Sequence, residues 1–483
     1  AQPTPAMEAP PRANGGPSQL GAQAPVPMEL CKDPVEDWEA LVNRAKRKER
    51  SELDLSGWQK FGFATSRAQE FETLRAAGDD PPNIVQRVEA RDLSVESFWE
   101  RFETKGIPCI IKGIPEVEGW PASGNWTIDR LCQRFANVPF KVGKSDDGSP
   151  IRLTCGQFAK YLETQRDDSP LYMFDNKFGG SKEVRDRLLS EYRVPRYFPD
   201  DYMALAGEDG RPPYRWIALG PRRSGTVMHQ DPLNTSAWNT LLSGRKRWVL
   251  LHPDTPRNVA KAKHVMQKDD DDEAINVFID LLPRLRKQGV RTVEFVQYPG
   301  ETIFLPGGWW HCVINVDDTV AVTQNYAGRH NFASIWRSAR QERPCWSHRW
   351  LRAMSEHMPQ VAEQARRLND QDGFSMEELL RRNRERRQRR RERREARALR
   401  LARTRAGPAF DEAAWRRRRA EEASSSDSES TVSTSTSSSD SSSSDETSEE
   451  EEEEQQRSQA HSKAAAQPPP PPGPGPGPRP PPR

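Results

Sequence analysis

Between residues 214 and 327 the sequence reads YRWIALG (214–220), TVMHQD (226–231), TSAWNTLL (235–242), RKRWVLL (245–251), VEFVQY (293–298), ETIFLP (301–306), WWHCVINV (309–316) and TVAVTQNYA (319–327). Most of these runs are bounded by Gly, Pro, Asp or Asn, and many alternate polar with apolar residues, which is the period of a half-buried strand. No helix between them is long enough for a parallel βαβ repeat. Eight closely spaced strands of this kind predict an antiparallel jelly roll or barrel. One large insertion, about 253–290, opens with a helix start at Asp254-Thr255-Pro256 and carries the acidic run Asp269–Glu273.

Working outward, the flanks change character. Gly106–Ile114 holds the β-branched run IPCIIKGI, and Thr127–Phe135 reads as a helix opened by a capping threonine with Asp129 in its first turn. Residues 36–100 are predicted as a helical N-terminal region, with Trp38, Leu41 and Ala45 at helical spacing beside the basic stretch Arg44–Arg50. The strand-rich core is placed at 101–335, a second helical region at 336–375 and an arginine-rich helix at 376–422. Residues 1–35, and the Ser/Glu/Pro-rich 423–483, hold too few large apolar side chains to offset chain entropy and are predicted to be disordered.

Of the 483 residues, 34% are hydrophobic and 30% charged, so a core is available only in the middle of the chain. The net charge of +2 conceals a segregated pattern, arginine at 381–419 against glutamate at 449–454. Six cysteines lie scattered without a Cys-x-x-Cys pair, as in a reduced intracellular protein. No charged-then-apolar leader opens the sequence and no apolar run approaches the ~18 residues of a membrane span, so neither secretion nor membrane residence is expected.

His-x-Asp occurs twice, and about one match is expected from composition alone. His252-Pro253-Asp254 has a structural reading: it ends a strand, and Asp254 or Thr255 caps the helix that Pro256 begins. His229-Gln230-Asp231 differs. Alternation sends His229 and Asp231 to one face at a strand end, with Gln230 pointing away and Pro232 stopping the pairing. A further histidine, His311, starts a distant strand just after Pro306-Gly307-Gly308. Two imidazoles and one carboxylate converging inside a roll would form the facial triad of a non-haem iron(II) site, with positions left open for a chelating co-substrate and dioxygen. A distal carboxylate on that co-substrate, 2-oxoglutarate, needs a buried cation. Lys246 is the candidate: alternation places it with Trp248 and Leu250, leaving Arg245 and Arg247 as exposed residues on the other face. Thr323 and Asn325 alternate together and add polar groups to the same pocket.

Longer stretches carry a family resemblance: RDDSPLYMFD (166–175), RPPYRW (211–216), GPRRSGT (220–226), HQDPLNTSAWNTLLSGRKRW (229–248), PGETIFLPGGWWH (299–311) and TQNY (323–326). Together, across Trp38 to Arg352, they resemble the JmjC family of oxygenases. The resemblance implies a mainly β protein with flanking helices, built on a double-stranded β-helix (a cupin-like jelly roll). It carries iron(II) onto His229, Asp231 and His311, and the 2-oxoglutarate anchors onto Lys246, Thr323 and Tyr172, with Asn239 and Asn325 lining the pocket. Glu273 is carried over as an acidic residue facing the substrate. Where the family reads His-Ile-Asp, this chain has Gln230 in the middle. Dioxygen, and ascorbate as reductant, complete the implied set. The implied activity is lysyl hydroxylation of arginine/serine-rich nuclear proteins of RNA processing, and of histones, with N-methyl-arginine demethylation as an alternative outcome. The acidic run Asp269–Glu273 would suit such basic substrates. A homodimer through the helices after Asn331 is also in the family's character.

The arginine block reads as a nuclear address more than as an RNA reader, because no aromatic platform is interleaved in it. Arg44–Arg50 is a second candidate address. A solvated helix with pairs such as Glu385 with Arg389 is the plainer reading of the block. The Ser/Asp tract resembles a substrate of acidophilic kinases, whose phosphates would compete for the arginines. Two rivals to the enzyme remain: a non-catalytic RNA-processing scaffold, against which the intact ligands and Lys246 speak, and a membrane receptor, which needs a span this sequence lacks.

Overall fold

A computed structural model describes residues 38–79, 85–208, 210–407 and 410–418; the two tails predicted as disordered lie outside them. Its strands, in chain order, are β1 Gln86–Glu89, β2 Cys109–Lys112, β3 Pro139–Lys144, β4 Pro150–Thr154, β5 Met173–Asp175, β6 Arg215–Gly220, β7 Gly225–His229, β8 Ser236–Ser243, β9 Lys246–Leu251, β10 Val293–Gln297, β11 Glu301–Leu305, β12 Trp310–Asn315 and β13 Thr319–Tyr326. All eight strands expected after residue 214 are present. The major sheet runs β1-β2-β11-β8-β13-β6-β5 and the minor sheet β10-β9-β12-β7. Apart from the parallel pair β1–β2, every pairing is antiparallel. Ile110, Ile303 and Leu305 of the major sheet meet Trp248, Leu250, Phe295 and Val313 of the minor one, so the two sheets pack face to face as a jelly roll.

Both outer faces are covered, which is why the strands are buried on both sides. Phe63, Phe71 and the insertion residues Ala274, Ile275, Phe278 and Leu285 cover Met228, Val249, Leu251, Cys312 and Ile314 of the minor sheet. The N-terminal region packs on Trp238, Phe304, Val320 and Val322 of the major sheet. Helices Phe332–Glu342, Pro344–His357 and Pro359–Gln371 close on themselves around Trp336 and Trp350. Among the described residues, no helix is long and apolar enough to cross a membrane.

Several local expectations need correction. The 36–100 region is not all helical: β1 extends the major sheet by pairing Gln86–Glu89 with Cys109–Lys112. Thr127 caps its helix as read, accepting from the Arg130 amide. Asp254 and Thr255 do not cap theirs; Pro256 is the N-cap of Arg257–Ala260 and no side chain caps it. Arg247 is not exposed. The chain after helix Ala68–Ala76 crosses the outer face of β9, so Arg247 donates to the Ala77 and Gly78 carbonyls and pairs with Glu294. Arg245 is half-buried against Asp317.

Glu103 is 8% exposed and accepts a 2.6 Å hydrogen bond from Tyr326, the last residue of β13. Burial lifts its carboxyl to about 7, the Tyr326 bond pulling the other way. A carboxyl raised on folding contributes stability below its unfolded value and loses it as pH rises through 7. The expected result for Glu103→Gln is little change in melting temperature at pH 5 and a gain of a few degrees over the parent chain at pH 8. Equal shifts at both pH values, by scanning fluorimetry, would contradict this.

Candidate metal centre

Each ligand sits where a strand begins or ends. His229 closes β7 and faces His311, the second residue of β12, across an antiparallel pair. Their rings lie 4.1 Å apart, centroid to centroid. The Nδ1 of His229 is 2.7 Å from the Val227 carbonyl, and that of His311 is 3.1 Å from the Trp309 carbonyl. A carbonyl only accepts, so Nδ1 carries the proton in both rings and Nε2 is the atom each ring turns towards Asp231. Both Nε2 atoms lie 3.8 Å from the same oxygen, Asp231 Oδ1. One ligand atom from each of the three falls within 4.8 Å of the others.

The electrostatics favour a metal's donors over an ion pair. Burial, then the neighbouring His229 ring, hold His311 well below the ordinary histidine value and therefore neutral. Burial raises the Asp231 carboxyl, while His229 and a hydrogen bond from Asn325 oppose that. Side-chain exposure falls from 34% at His229 through 15% at Asp231 to 6% at His311, so the site opens on the His229 side.

A turn holds the two arms together. Gln230 points away from the ligands and donates from Nε2 to the Gly308 carbonyl at 2.6 Å. Leu233 and Asn234 both take positive φ in the turn after Pro232. That brings the Asn234 carbonyl so close to Gly307 that a Cβ there would lie 2.1 Å from it, which explains a glycine at that position.

The predicted co-substrate residues gather on the inner walls. Lys246 is 2% exposed and donates to the Tyr172 hydroxyl at 2.8 Å; among the described residues it forms no salt bridge. A buried ammonium facing a phenol is incomplete in the way a distal carboxylate would complete. Thr323 and Asn239 are register partners on β13 and β8. The Thr323 hydroxyl donates to the Trp238 carbonyl. Asn239 Oδ1 and Thr226 Oγ1 are buried without a hydrogen-bond partner among the described residues. Asn325 is turned to the metal side instead, donating to Thr235 and bonding Asp231. The donor set of two imidazoles and a carboxylate, together with the uncompensated Lys246, fits iron(II) with 2-oxoglutarate.

Comparison with known proteins agrees with this geometry. A family model described as the JmjC domain of hydroxylases matches residues 216–326, which span β6 to β13. The bifunctional arginine demethylase and lysyl-hydroxylase psr-1 of Caenorhabditis elegans is 38% identical over 328 residues, 67% of this chain and 78% of that protein. Its Caenorhabditis briggsae counterpart is 39% identical over 326 residues, 66% and 79% of the two chains. This chain belongs to the JmjC hydroxylase family. A more distant JmjC relative, the 2-oxoglutarate and iron-dependent oxygenase JMJD4 of Gallus gallus, is 25% identical over 277 residues, 53% of this chain and 62% of that one. As a JmjC protein the chain is an iron- and 2-oxoglutarate-dependent oxygenase, with His229, Asp231 and His311 as its candidate iron site.

Glu273 does not join this JmjC centre. Consecutive residues of β12 point to opposite faces, and Glu273 lies on the outer side with Cys312, not on the side of His311. It accepts from the Ser169 hydroxyl and sits 3.6 Å from Arg50. The acidic run is likewise engaged within the chain, Asp270 with Arg284, Asp271 with Arg50 and Asp272 with Lys263. Sequence reasoning missed Trp309. It shares a strand face with His311 two residues away, packs partly on the inter-sheet core and stands edge-on to His252, with ring centroids 5.6 Å apart. The doublet Trp309-Trp310 held the signal, since alternation sends only one of the pair inward.

Proposed function

We propose that this chain hydroxylates lysyl side chains of basic, arginine/serine-rich nuclear proteins of RNA processing, with histones as further substrates. The observation that carries the reading is the convergence of His229, Asp231 and His311, with a buried, uncompensated Lys246 further along the neighbouring strand β9. The reaction balances as C–H plus dioxygen plus 2-oxoglutarate giving C–OH, succinate and carbon dioxide. Bound iron and its co-substrate supply the oxidising power. The chain's own work is placement. Lys246 and Tyr172 receive the distal carboxylate, and Trp248 with the inter-sheet core keeps water out.

The same hydrogen abstraction on an N-methyl carbon gives a carbinol that releases formaldehyde, and the psr-1 relative is named for both outcomes. Demethylation of arginine is therefore the second reading. The deciding experiment tracks succinate release by the purified chain with iron(II), ascorbate and 2-oxoglutarate, and the mass of a lysine/arginine-rich peptide. A peptide-dependent gain of one oxygen on lysine supports hydroxylation, and loss of a methyl group from methyl-arginine moves the assignment to demethylation. No turnover by iron-loaded protein favours the RNA-processing scaffold.

Trp309, partly buried beside His252 and two residues before the ligand His311, is proposed to meet the cationic end of the substrate through a cation–π contact. Trp309→Ala is expected to raise KM for a basic peptide about fivefold to tenfold, as a contact of about 1 kcal/mol implies. Peptide-independent turnover of 2-oxoglutarate should stay near the parent rate. A loss confined to that basal turnover would remove Trp309 from substrate binding.

A nuclear location is part of the proposal. The arginine block supports it better than 44–50 does, since Lys46 and Arg50 are held in ion pairs with Asp167 and Asp271. RNA contact by that block, and a homodimer through the helices from Phe332 to Gln371, belong to the same proposal.

A further inference from the structure

Helix Met376–Ala406 carries fourteen arginines against five glutamates over 31 residues, about 46 Å of helix. Near its start Arg381 bonds Glu385 and Arg382 bonds Glu378; the expected Glu385–Arg389 pair is replaced by the first of these. Arg389, Arg391, Arg393 and Arg397 are exposed and form no ion pair among the described residues. Such a concentration of like charge on one helix is self-repelling and calls for an anion.

The helix does not run on as the single continuous rod expected for 376–422. Gly407 takes φ +65 and ends it, and a second helix, 412–418, begins after Asp411, whose side chain accepts from the Ala414 amide. Glu412 pairs with Arg403 at 2.6 Å, and Arg416 with Glu395 at 3.2 Å. As the number rises on one helix it falls on the other, so the chain has reversed and returns along the arginine helix towards Arg393, Arg391 and Arg389. Only a few residues beyond Arg418 begins 424–454, SSSDSESTVSTSTSSSDSSSSDETSEEEEEE, with eleven carboxylates and no basic residue.

We propose that 424–454 seats on the arginine face of Met376–Ala406 as an intramolecular polyanionic ligand, competing with external polyanions for that face. Its eleven negative charges stand against a helix net charge of +9. The hairpin delivers it at the right place and in the right direction, and 31 residues can reach up to about 100 Å, more than the helix length. The absence of any aromatic side chain in the helix favours an acidic peptide over single-stranded RNA, whose bases would stack. Tethering supplies an effective concentration of about 1 mM, so a segment that binds with a dissociation constant of about 0.1 mM weakens a competitor about tenfold.

The test compares the full chain with a full-length variant in which the eleven carboxylates of 424–454 are replaced by amides. Fluorescein-labelled oligouridylate of twenty nucleotides, at 0.15 M salt, should bind the variant about tenfold more tightly; equal affinity overturns the proposal. A second readout places a dye pair at Ala396→Cys and Ser438→Cys, with Cys31 and Cys345 changed to serine. Energy transfer should be high at 0.05 M salt in the native tail, fall at 1 M, and be low throughout in the amide variant. Equal transfer in both chains overturns the proposal, as does transfer that appears only between singly labelled copies mixed at rising concentration. If the oligonucleotide binds neither chain, the transfer difference decides.

Discussion

His229→Ala lowers 2-oxoglutarate turnover at least about a thousandfold, and Asp231→Ala does the same, because each removes one of only three protein donors. The effect is on metal retention and not on folding. His229 is a third exposed and its ring bears on His311 and Asp231, not on the hydrophobic core. The melting temperature of the metal-free variant is therefore expected within a few degrees of the metal-free parent. Iron content after desalting and succinate release are the two measurements. A variant that keeps stoichiometric iron and parental turnover would remove the triad from the chemistry.

Lys246→Met has the second largest expected effect. The ammonium is buried, donates to Tyr172 and lacks an anionic partner among the described residues. Replacing it with an apolar side chain of similar length should leave the fold intact, since no carboxylate of the protein is left uncompensated. The loss falls on the ligand. A desolvated charge-assisted contact is worth about 3 kcal/mol, so KM for 2-oxoglutarate should rise on the order of a hundredfold. Lys246→Arg should not restore it, because a planar guanidinium fork does not reproduce the compact ammonium that bonds Tyr172. Co-substrate binding is measured directly, through quenching of the nearby tryptophan, so that a change in affinity is separated from a change in rate. An unchanged affinity in Lys246→Met would place the carboxylate elsewhere.

Alternation carried most of the architecture. The period of two placed His229 with Asp231, Lys246 with Trp248, and Thr323 with Asn325, and Pro-Gly-Gly marked the turn before His311. These are local properties, written into neighbouring residues. Three of the failures share one cause, which is that the partner comes from far away in sequence. Arg247 reads as exposed because nothing near it says that residues 77–78 will cross its face. Glu273 is carried over from the family resemblance as a substrate carboxylate, and its partners, Arg50 and Ser169, are too distant in sequence to correct that. β1 is too short to announce itself and exists through its pairing with β2. The break at Gly407 was legible in Gly407-Pro408, but the long run of arginines on either side masked it.

The hydrogen bond from Gln230 to Gly308 spans 78 positions and ties two ligands to the turn that delivers the third. During synthesis at about 5–20 residues per second, the first two donors emerge roughly 4–16 s before the last. Through that interval the nascent chain offers only a histidine and an aspartate, a pair that holds iron(II) weakly. Metal loading is thereby deferred until β12 has been made and has zipped against β7, and a ribosome stalled between the two strands would carry a chain that cannot yet consume oxygen.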